Sequence, residues 1–496
     1  MKKWLQRFDD ALNALDKPVV ILILLLPVFV QWTVPLVRSR FWLDETVTWW
    51  TTDQGLRELI TRCTFWPGSI LYNSFILVLR SLGIHKEWLL RLPSLVALLI
   101  AAALLFDLAR RWFSKRTAIA AAVFFCVQPW VVFAAADARP YGLGLFMVVL
   151  ATWLMLRWLE AERAGYACAY GAAAGLILQF HMLFATVLVF HGIFLIAVAP
   201  RNGRIMRQGL VAVGVLMAVT FPLLPQYWYA FRDRGAHTFT AVHGVPDFVR
   251  QFLPTAGMLV SVLIAAVLPR WGGGTRERIA GRFVLLAVLW AAIPMCLLYA
   301  AEKLSGANVL VGRYALPYVP GIALCFGVIL EYLSRWLRTG VVLLLFLAPW
   351  AWDCWRGEFA SHTFSGNWAA AIEFVDKENR TASVPALMRS AFPESDHWDW
   401  QSVRMNDSAL YAPLSFYRSS TDWHPLPASF TAKAVEAIDS FVETQRAKRQ
   451  GFFFATLDDQ VPAAVYVAYL RKKLGTGAQF REAGDFEGIR VYRMQW

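Results

Sequence analysis

Long apolar runs separated by short polar segments occupy most of the first 356 residues. These runs are read as candidate membrane-crossing helices, which need about 20 mainly apolar residues. The runs cover residues 18–37, 88–108, 117–134, 141–158, 167–180, 182–199, 209–229, 254–269, 283–300, 314–333 and 339–356. The pattern predicts a polytopic α-helical membrane protein with about 11 transmembrane helices. The first run lacks a small-residue cleavage site, which indicates an uncleaved helix rather than a signal peptide.

The basic residues indicate how these helices are oriented. Lys and Arg are concentrated at residues 1–7, 110–116, 201–207, 269–282 and 334–338. With the helices alternating in direction, these segments all fall on one side, and basic loops mark the cytoplasmic side. The N-terminus is therefore predicted in the cytoplasm. The first outer loop, residues 38–87, and the tail after residue 356 are predicted on the opposite, extracytoplasmic side.

The tail from residue 357 to 496 shows a different pattern. Helical stretches at 368–379, 434–450 and 463–475 alternate with strand-like stretches at 382–388, 451–457 and 488–496. Such alternation is typical of a small α/β domain. The sequence thus predicts a transmembrane domain over residues 1–356 and an extracytoplasmic α/β domain over residues 357–496.

Composition supports the membrane assignment and narrows the function. The chain is 58% hydrophobic and 17% charged, whereas soluble domains are about 45–50% apolar and about 25% charged. The net charge of +13 is explained by basic cytoplasmic loops, so no nucleic-acid partner is predicted. The six cysteines show no CxxC spacing and no Cys/His cluster. No metal ligands are therefore assigned, and dependence on a divalent metal is left open.

Residues suited to catalysis gather on the predicted outer side. The acidic pair Asp44 and Glu45 stands in "RFWLDETVTWW", just after the first apolar run. The same side receives Trp66, Asp137, Arg139, Tyr141, Gln179, His181, Lys303, Arg313 and Tyr314. Charges at a membrane are costly and are functional candidates. Guanidinium groups match phosphate oxygens, and a nearby carboxylate suits a general base. Chemistry on a phosphate-linked substrate held in the membrane is predicted.

Less specific explanations fit individual residues. The aromatics around Asp44 would suit a membrane-interface belt, and Arg313 could extend from a helix end toward water. Arg139 could pair with Asp137, and His181 could be a packing residue. At the level of function, the alternatives are a lipid or sugar transporter or flippase, and a scaffold or sensor. A transporter favours internal repeats, and the sequence shows none. A scaffold leaves the acidic pair unexplained.

A series of short motifs resembles one known family. The motifs are "FWLDE" (41–45), "FWPGSILYN" (65–73), "EWLLRLPSLVALL" (87–99), "ADARPYGL" (136–143), "FH" (180–181) and "GRYALPYVP" (312–320). In this order they resemble the family 39-type glycosyltransferases of the GT-C superfamily. That family includes protein O-mannosyltransferases and the aminoarabinose transferase that modifies lipid A.

The resemblance implies an inverting glycosyltransferase that moves a hexosyl or pentosyl group from a polyprenyl-phosphate donor, such as an undecaprenyl-phosphate sugar. The acceptor would be an envelope glycolipid (such as lipopolysaccharide), a glycan or a protein. The reaction would occur at the periplasmic face of the bacterial inner membrane. By position in the motifs, Asp44 matches the catalytic carboxylate, and Glu45 is the adjoining acid that orients the base or the acceptor.

The remaining site residues form two sets under this resemblance. The set expected to bind the donor phosphate is Arg139, Tyr141, Arg313, Tyr314 and Lys303. The set expected to line the cavity or meet the acceptor is Trp66, His181, Gln179 and Asp137. Trp66 stands where many members carry His or Lys, which removes one expected phosphate contact. Lys303 is the candidate to supply that phosphate contact instead.

Overall fold

The computed structural model describes residues 18–65, 69–200, 202–232, 243–252, 281–331, 366–380, 383–392, 409–459 and 461–496, with isolated positions at 340–341, 344, 351, 355 and 395. Trp66 and the predicted helix at 254–269 lie outside the described residues. So does most of the predicted helix at 339–356.

The described residues up to 331 form helices joined by short turns. These helices are α1 (Pro18–Arg38), α2 (Leu43–Thr51), α3 (Leu56–Phe65), α4 (Ile70–Ser81), α5 (Glu87–Trp112), α6 (Lys115–Val127), α7 (Pro129–Ala135), α8 (Tyr141–Ala161), α9 (Ala164–Phe180), α10 (Thr186–Val198), α11 (Gly203–Thr220), α12 (Leu224–Arg232), α13 (Val245–Phe252), α14 (Gly281–Ser305) and α15 (Val319–Glu331). Short 3₁₀ turns at Met182–Ala185, Phe221–Leu223 and Leu316–Tyr318 lead into α10, α12 and α15.

Several of these helices have the length and composition needed to cross a membrane. Among the described residues, α5, α8, α14 and the continuous segment Gly203–Arg232 meet this requirement. The pair α6 and α7, bent by 68°, supplies a fifth span if it is counted as one. Shorter apolar helices cover Ile70–Ser81, Ala164–Phe180, Met182–Val198 and Leu316–Glu331. The prediction of a mainly helical protein with several long apolar helices is confirmed, while the number of eleven transmembrane helices stays a prediction.

The first outer loop contains more regular structure than the sequence pattern indicated. Residues 38–87 include α2, α3 and α4. Ser69 caps α4 by accepting a hydrogen bond from the Tyr72 backbone N–H at 3.0 Å. Arg62 in α3 donates to the carbonyl of Trp50 and to Asp53, which joins α3 to the end of α2. Tertiary contacts of this kind stabilise helices that are too short to stand out by composition.

Close helix packing in the membrane region depends on small residues. Helix α9 packs against both α8 and α11. At Gly171 in α9, an added Cβ would lie 2.2 Å from the carbonyl oxygen of Ala212 in α11. Glycine therefore allows the two backbones to approach directly, as small residues do between membrane helices.

The C-terminal region folds into a small sheet flanked by helices. Its elements are α16 (Trp368–Asn379), β1 (Ala386–Arg389), α17 (Ala412–Tyr417), β2 (Trp423–Leu426), α18 (Ala432–Lys448), β3 (Phe452–Leu457), α19 (Val461–Leu474), β4 (Gln479–Phe486) and β5 (Ile489–Gln495). The strand order is β2-β1-β3-β5-β4. Strand β1 pairs in parallel with β2 and β3, and β5 pairs antiparallel with β3 and β4. The predicted small sheet is confirmed.

The C-terminal domain packs against the helices that lead into the first outer loop. Phe416 in α17 stacks on Phe41, with ring centroids 4.7 Å apart. The Tyr417 hydroxyl donates to Glu87 Oε1 at 3.0 Å and to the Phe41 carbonyl at 3.3 Å. Because Phe41 precedes α2 by two residues, α17 directly supports the start of that helix.

The α9–α11 packing yields a test of the fold. We expect Gly171→Ala to destabilise the protein by about 1–3 kcal/mol, because the methyl group would overlap a backbone carbonyl that cannot rotate away. Gly192→Ala in α10 is the matched control, since no atom lies within 4 Å of its added Cβ. We expect this control to be neutral or to stabilise by up to about 1 kcal/mol. Thermal unfolding in detergent micelles measures both, and equal melting temperatures would contradict the packing.

Candidate active site

Glu45 lies in the first turn of α2 and is fully buried. Its Oε1 accepts hydrogen bonds from Arg91 Nε and from the backbone N–H of Ala138, each at 2.7 Å. Its Oε2 accepts from Arg91 Nη2 at 2.5 Å and from the backbone N–H of Trp42 at 3.1 Å. The bond from Trp42 pairs a backbone N–H that would otherwise have no partner at the helix start, as a glutamate in a capping box does. Four donors thus occupy both carboxylate oxygens.

Arg91, in α5, is a site residue that the sequence patterns did not single out. It is fully buried, and besides Glu45 it donates to three backbone carbonyls. Its Nη1 donates to Leu36 O at 3.2 Å and Ser39 O at 2.7 Å, and its Nη2 donates to Arg40 O at 3.0 Å. Arg91 therefore joins the end of α1 to the start of α2. A lone arginine inside an apolar run was the available signal.

The loop between α7 and α8 packs against the Glu45–Arg91 pair. Ser94 Oγ, one turn after Arg91, donates to the Asp137 carbonyl at 2.7 Å. The Trp42 indole N–H donates to Asp137 Oδ1 at 3.0 Å. At Gly142, an added Cβ would lie 2.9 Å from the Ser94 Cβ, so only glycine lets α8 begin this close to α5. Burial, and then the negative charge of Glu45, raise the pKa of Asp137 well above its usual range.

Asp44 has surroundings unlike those of its neighbour Glu45. Its side chain is 19% exposed, and its Oδ2 lies 3.8 Å from Arg313 Nη2. That separation allows charge attraction but is too long for a hydrogen bond. Within the described part of the chain, no donor forms a hydrogen bond to the Asp44 carboxylate. Asp44 is the second residue of α2, at the end of the helix where the dipole is positive.

Two guanidinium groups flank Asp44. Arg139 Nη1 donates to the Asp44 carbonyl and to Thr48 Oγ1, each at 3.2 Å. Arg313 lies over the rings of Trp42 and Tyr314, at 5.5 and 5.2 Å from their centroids. The buried Nε atoms of Arg139 and Arg313 have no hydrogen-bond partner among the described residues. The site therefore holds two positive charges with unused donors beside one accessible carboxylate.

Aromatic side chains complete the cluster. The His181 ring lies 5.4 Å from Tyr141, 5.1 Å from Tyr314 and 4.8 Å from Phe184, measured between centroids. Burial, followed by the positive charges of Arg139 and Arg313, lowers the pKa of His181 to about 3. The imidazole is therefore neutral near pH 7.

The structure thus brings together most of the predicted site residues. Asp44, Glu45, Asp137, Arg139, Tyr141, His181, Arg313 and Tyr314 are linked by the contacts described above. Gln179 is directed elsewhere, since its Nε2 donates to the Val219 carbonyl at 2.8 Å. Lys303 is exposed in the last turn of α14, with its Nζ 5.3 Å from the centroid of Tyr299. No contact joins Lys303 to the cluster in the described part of the chain.

The arrangement provides a proton acceptor and an anion-binding pair at one place. An accessible carboxylate without a hydrogen bond can accept a proton from a bound hydroxyl. Two arginines with unused N–H groups suit the oxygens of a phosphate. No group of three or more His, Cys, Asp or Glu side chains within the described residues has the arrangement of a metal site.

The buried Glu45–Arg91 pair yields a stability test. We expect Arg91→Met to cost about 3–5 kcal/mol, because it leaves the Glu45 carboxylate buried without its counter-charge. The double variant Arg91→Met/Glu45→Gln should recover part of this loss, since no buried charge remains unpaired. The control Arg40→Met removes an exposed pair with Glu373 at 3.2 Å and a longer contact with Glu87 at 3.9 Å. Because the Arg40 side chain is itself exposed, this change should cost less than about 1 kcal/mol. Unfolding in micelles measures all three, and equal losses for Arg91→Met and Arg40→Met would contradict this role.

The low pKa of His181 yields a pH test. The histidine of the unfolded chain titrates near pH 6.5, whereas the folded ring stays neutral down to about pH 3. Between these values the unfolded state binds more protons, so wild-type stability falls as the pH is lowered from about 6.5. At pH 5 the protonation of His181 in the unfolded state lowers the free energy of unfolding by up to about 2 kcal/mol.

We expect His181→Phe to lack this contribution and so to lose less stability than the wild type between pH 7.5 and pH 5. The measurement is thermal unfolding of both proteins at the two pH values. Identical losses would show that His181 titrates normally in the folded protein.

Comparisons with known proteins agree with this geometry. Residues 69–228 match the family model described as dolichyl-phosphate-mannose-protein mannosyltransferase. The match covers about a third of the chain and includes Arg91, Arg139 and His181. No curated protein sequence is significantly similar to the chain.

Two solved structures share the fold over nearly the whole chain. ArnT from Cupriavidus metallidurans in the apo state is 15% identical, with a TM-score of 0.56 over 96% of this chain and 98% of that chain. The same protein bound to undecaprenyl phosphate is 15% identical, with a TM-score of 0.51 over the same shares. At this level of identity the likeness concerns the fold. The family model over residues 69–228 and the shared fold agree with the resemblance predicted from the sequence.

Proposed function

We propose that the protein transfers a sugar from a polyprenyl-phosphate donor to a hydroxyl of an envelope glycolipid, glycan or protein. The observation that carries this proposal is the contrast between two adjacent acids. Glu45 is buried and bonded by four donors, whereas Asp44 is partly exposed beside two arginines. Glu45 therefore has a structural role, whereas Asp44 is available to a substrate.

Asp44 acts as the general base in this proposal. Its carboxylate is accessible, and Arg313 Nη2 lies 3.8 Å from its Oδ2. Ion pairing without a hydrogen bond leaves the carboxylate lone pairs free to receive a proton. Glu45 does not contact the substrate. It is a positioning residue, because its bonds to Arg91 and Ala138 set where α2 begins and hence where Asp44 points.

Arg139 and Arg313 bind the phosphate of the donor. Their unpaired Nε atoms would be satisfied by phosphate oxygens, which the planar guanidinium matches in geometry. A protein of the same fold has been observed with undecaprenyl phosphate bound, which supports a donor of this class. Tyr141 and Tyr314 flank the two arginines and complete the phosphate-binding set.

The remaining predicted residues have less direct roles in this proposal. His181, as a neutral ring between two tyrosines, and Asp137, held by Trp42, line the cavity that meets the acceptor. Trp66 is assigned to the cavity only from its position in the motif at residues 65–73. Gln179 and Lys303 lie outside the cluster and are not assigned a contact with the donor.

The transfer step follows from these positions. Asp44 takes the proton of the acceptor hydroxyl as its oxygen bonds to the anomeric carbon. The bond from that carbon to the phosphate oxygen breaks, and its electron pair leaves with the polyprenyl phosphate. Arg139 and Arg313 stabilise the negative charge that builds on the phosphate. Because the acceptor attacks opposite the departing phosphate, the anomeric configuration inverts.

The reaction is proposed to occur on the periplasmic face of the bacterial inner membrane. The basic loops predict that the first outer loop, with Asp44, lies opposite the cytoplasm. A lipid-linked donor needs no nucleotide on that side. The C-terminal domain, which packs on the start of α2 through Phe416, would lie on the same face.

The base assignment is tested by Asp44→Asn. Removing the proton acceptor should lower turnover by about 10²- to 10⁴-fold while expression and melting temperature stay unchanged. Transfer is followed by mass spectrometry of envelope glycolipids and glycans from membranes supplied with polyprenyl-phosphate sugars. The control Glu58→Gln makes the same change in α3, at a side chain that is 40% exposed, and should retain activity. Wild-type turnover by Asp44→Asn would rule out Asp44 as the base.

The phosphate assignment is tested by Arg139→Ala and Arg313→Ala. Each should lower kcat/KM for the donor by about 10²-fold or more, because each removes a charged donor from the leaving phosphate. The KM for the acceptor should change little. Arg57→Ala is the control, since Arg57 is an exposed residue of α3. An unchanged donor kcat/KM in both variants would exclude phosphate binding at these positions.

A further inference from the structure

A groove of about 930 Å³ lies in the C-terminal domain, between α18 and the edge of the sheet formed by β1 and β2. Its floor includes Leu387 of β1 and His424 of β2, and one wall is the face of α18 that carries Ser440 and Gln445. The segments that enter β1 and β2 form the other wall. A cavity of this size suits a ligand of several linked rings.

The wall opposite α18 is held in place by side chains of α16. Asp376 accepts hydrogen bonds from Ser419 Oγ at 2.6 Å and from Thr421 Oγ1 at 2.7 Å. Asn379 donates to the Val384 carbonyl at 2.8 Å and accepts from the Val384 N–H at 2.7 Å. The two segments are thus fixed before any ligand arrives, which lowers the entropy cost of binding.

Gln445 marks the groove as more than a surface depression. The residue is 95% buried, being 5% exposed, and it lines the groove. Its Oε1 has no hydrogen-bond partner among the described residues. A buried polar atom without a partner is costly, so a ligand group that bonds to it gains that bond at little further desolvation cost.

The chemistry of the lining favours an uncharged ligand rich in hydroxyl groups. Two basic residues, Arg380 and Lys448, are balanced by two acidic ones, Asp422 and Glu436. The other polar groups are mainly hydroxyls and amides, which can both donate and accept hydrogen bonds. Phe441 adds an aromatic surface against which the apolar face of a sugar ring can pack.

One wall of the groove follows α17 closely in the chain, and α17 packs against Phe41 at the start of α2. Tyr417 ends α17, and Ser420 at the groove wall follows three residues later, within about 10 Å by chain length. A chain of sugars seated in the groove would therefore contact the segment that follows α17, the helix that supports the start of α2.

We propose that this groove binds a run of uncharged sugar residues, with the amide of Gln445 bonding to a sugar hydroxyl. The site is distinct from the donor site, and the binding does not depend on sugar transfer. The ligand class is a neutral oligosaccharide, either free or as part of a larger envelope glycan.

The test is direct binding to the full chain in lipid nanodiscs. The probes are a panel of neutral tetrasaccharides of hexoses or pentoses and, as charged comparators, their sulfated counterparts. Saturation-transfer NMR reports contact, and titration gives Kd. We expect at least one neutral probe to bind with a Kd of about 1 mM or tighter, and its sulfated counterpart to bind at least about tenfold more weakly. Absence of binding by every neutral probe, or preference for the sulfated probes, would overturn the proposal.

Two variants separate a binding site from a structural feature. Ser440→Trp places a large side chain in the groove from an exposed position of α18 and should abolish binding. Gln445→Leu removes the unpaired oxygen, so it should weaken binding at least tenfold with an equal or higher melting temperature. Glu443→Trp, on α18 but outside the groove, is the control and should bind as the wild type does. Wild-type affinity in Ser440→Trp or Gln445→Leu would contradict the proposal.

Discussion

The buried ion pair between Glu45 and Arg91 is the contact on which the site depends. Taking both charges out of water is costly, and the cost is offset only when hydrogen bonds satisfy the remaining lone pairs and N–H groups. Here they do so: backbone N–H groups of Trp42 and Ala138 bond to the carboxylate, and carbonyls at the end of α1 accept from the guanidinium. One pair thereby joins α1, α2, α5 and the loop before α8.

This arrangement explains why two acids stand side by side. Consecutive residues at a helix start point in different directions, so one can enter the protein while the next faces a cavity. Glu45 takes the inward position and fixes the helix, and Asp44 is left beside Arg139 and Arg313. The docking of α17 on Phe41 extends the same support to the C-terminal domain. A shift of α17 in that domain would therefore move the residues that precede α2.

The sequence predicted the fold well where local pattern decides it. The apolar runs within the described residues coincide with helices, and the strands predicted at 382–388, 451–457 and 488–496 overlap β1, β3 and β5. Strand β2 was missed because it has four residues and contains Pro425, which argues against a strand. Strand β4 was missed because it is an edge strand with largely exposed, polar residues. In the first outer loop, α2 and α3 are stabilised by contacts such as those of Arg62, which a local pattern does not contain.

The sequence alone predicted that charged and aromatic residues would gather on one side of a membrane, because apolar runs and basic loops indicate which segments share a side. It also identified Asp44, Arg139, Tyr141, His181 and Arg313, which the structure brings together. It assigned Asp44 as the base and Glu45 as its helper, but it did not show that Glu45 is buried and bonded by four donors. Nor did it reveal that Arg91 contacts Glu45, or that Gln179 and Lys303 point elsewhere. These points depend on how the helices pack, because the carboxylate of Glu45 bonds to residues about 50 to 90 positions away in the chain.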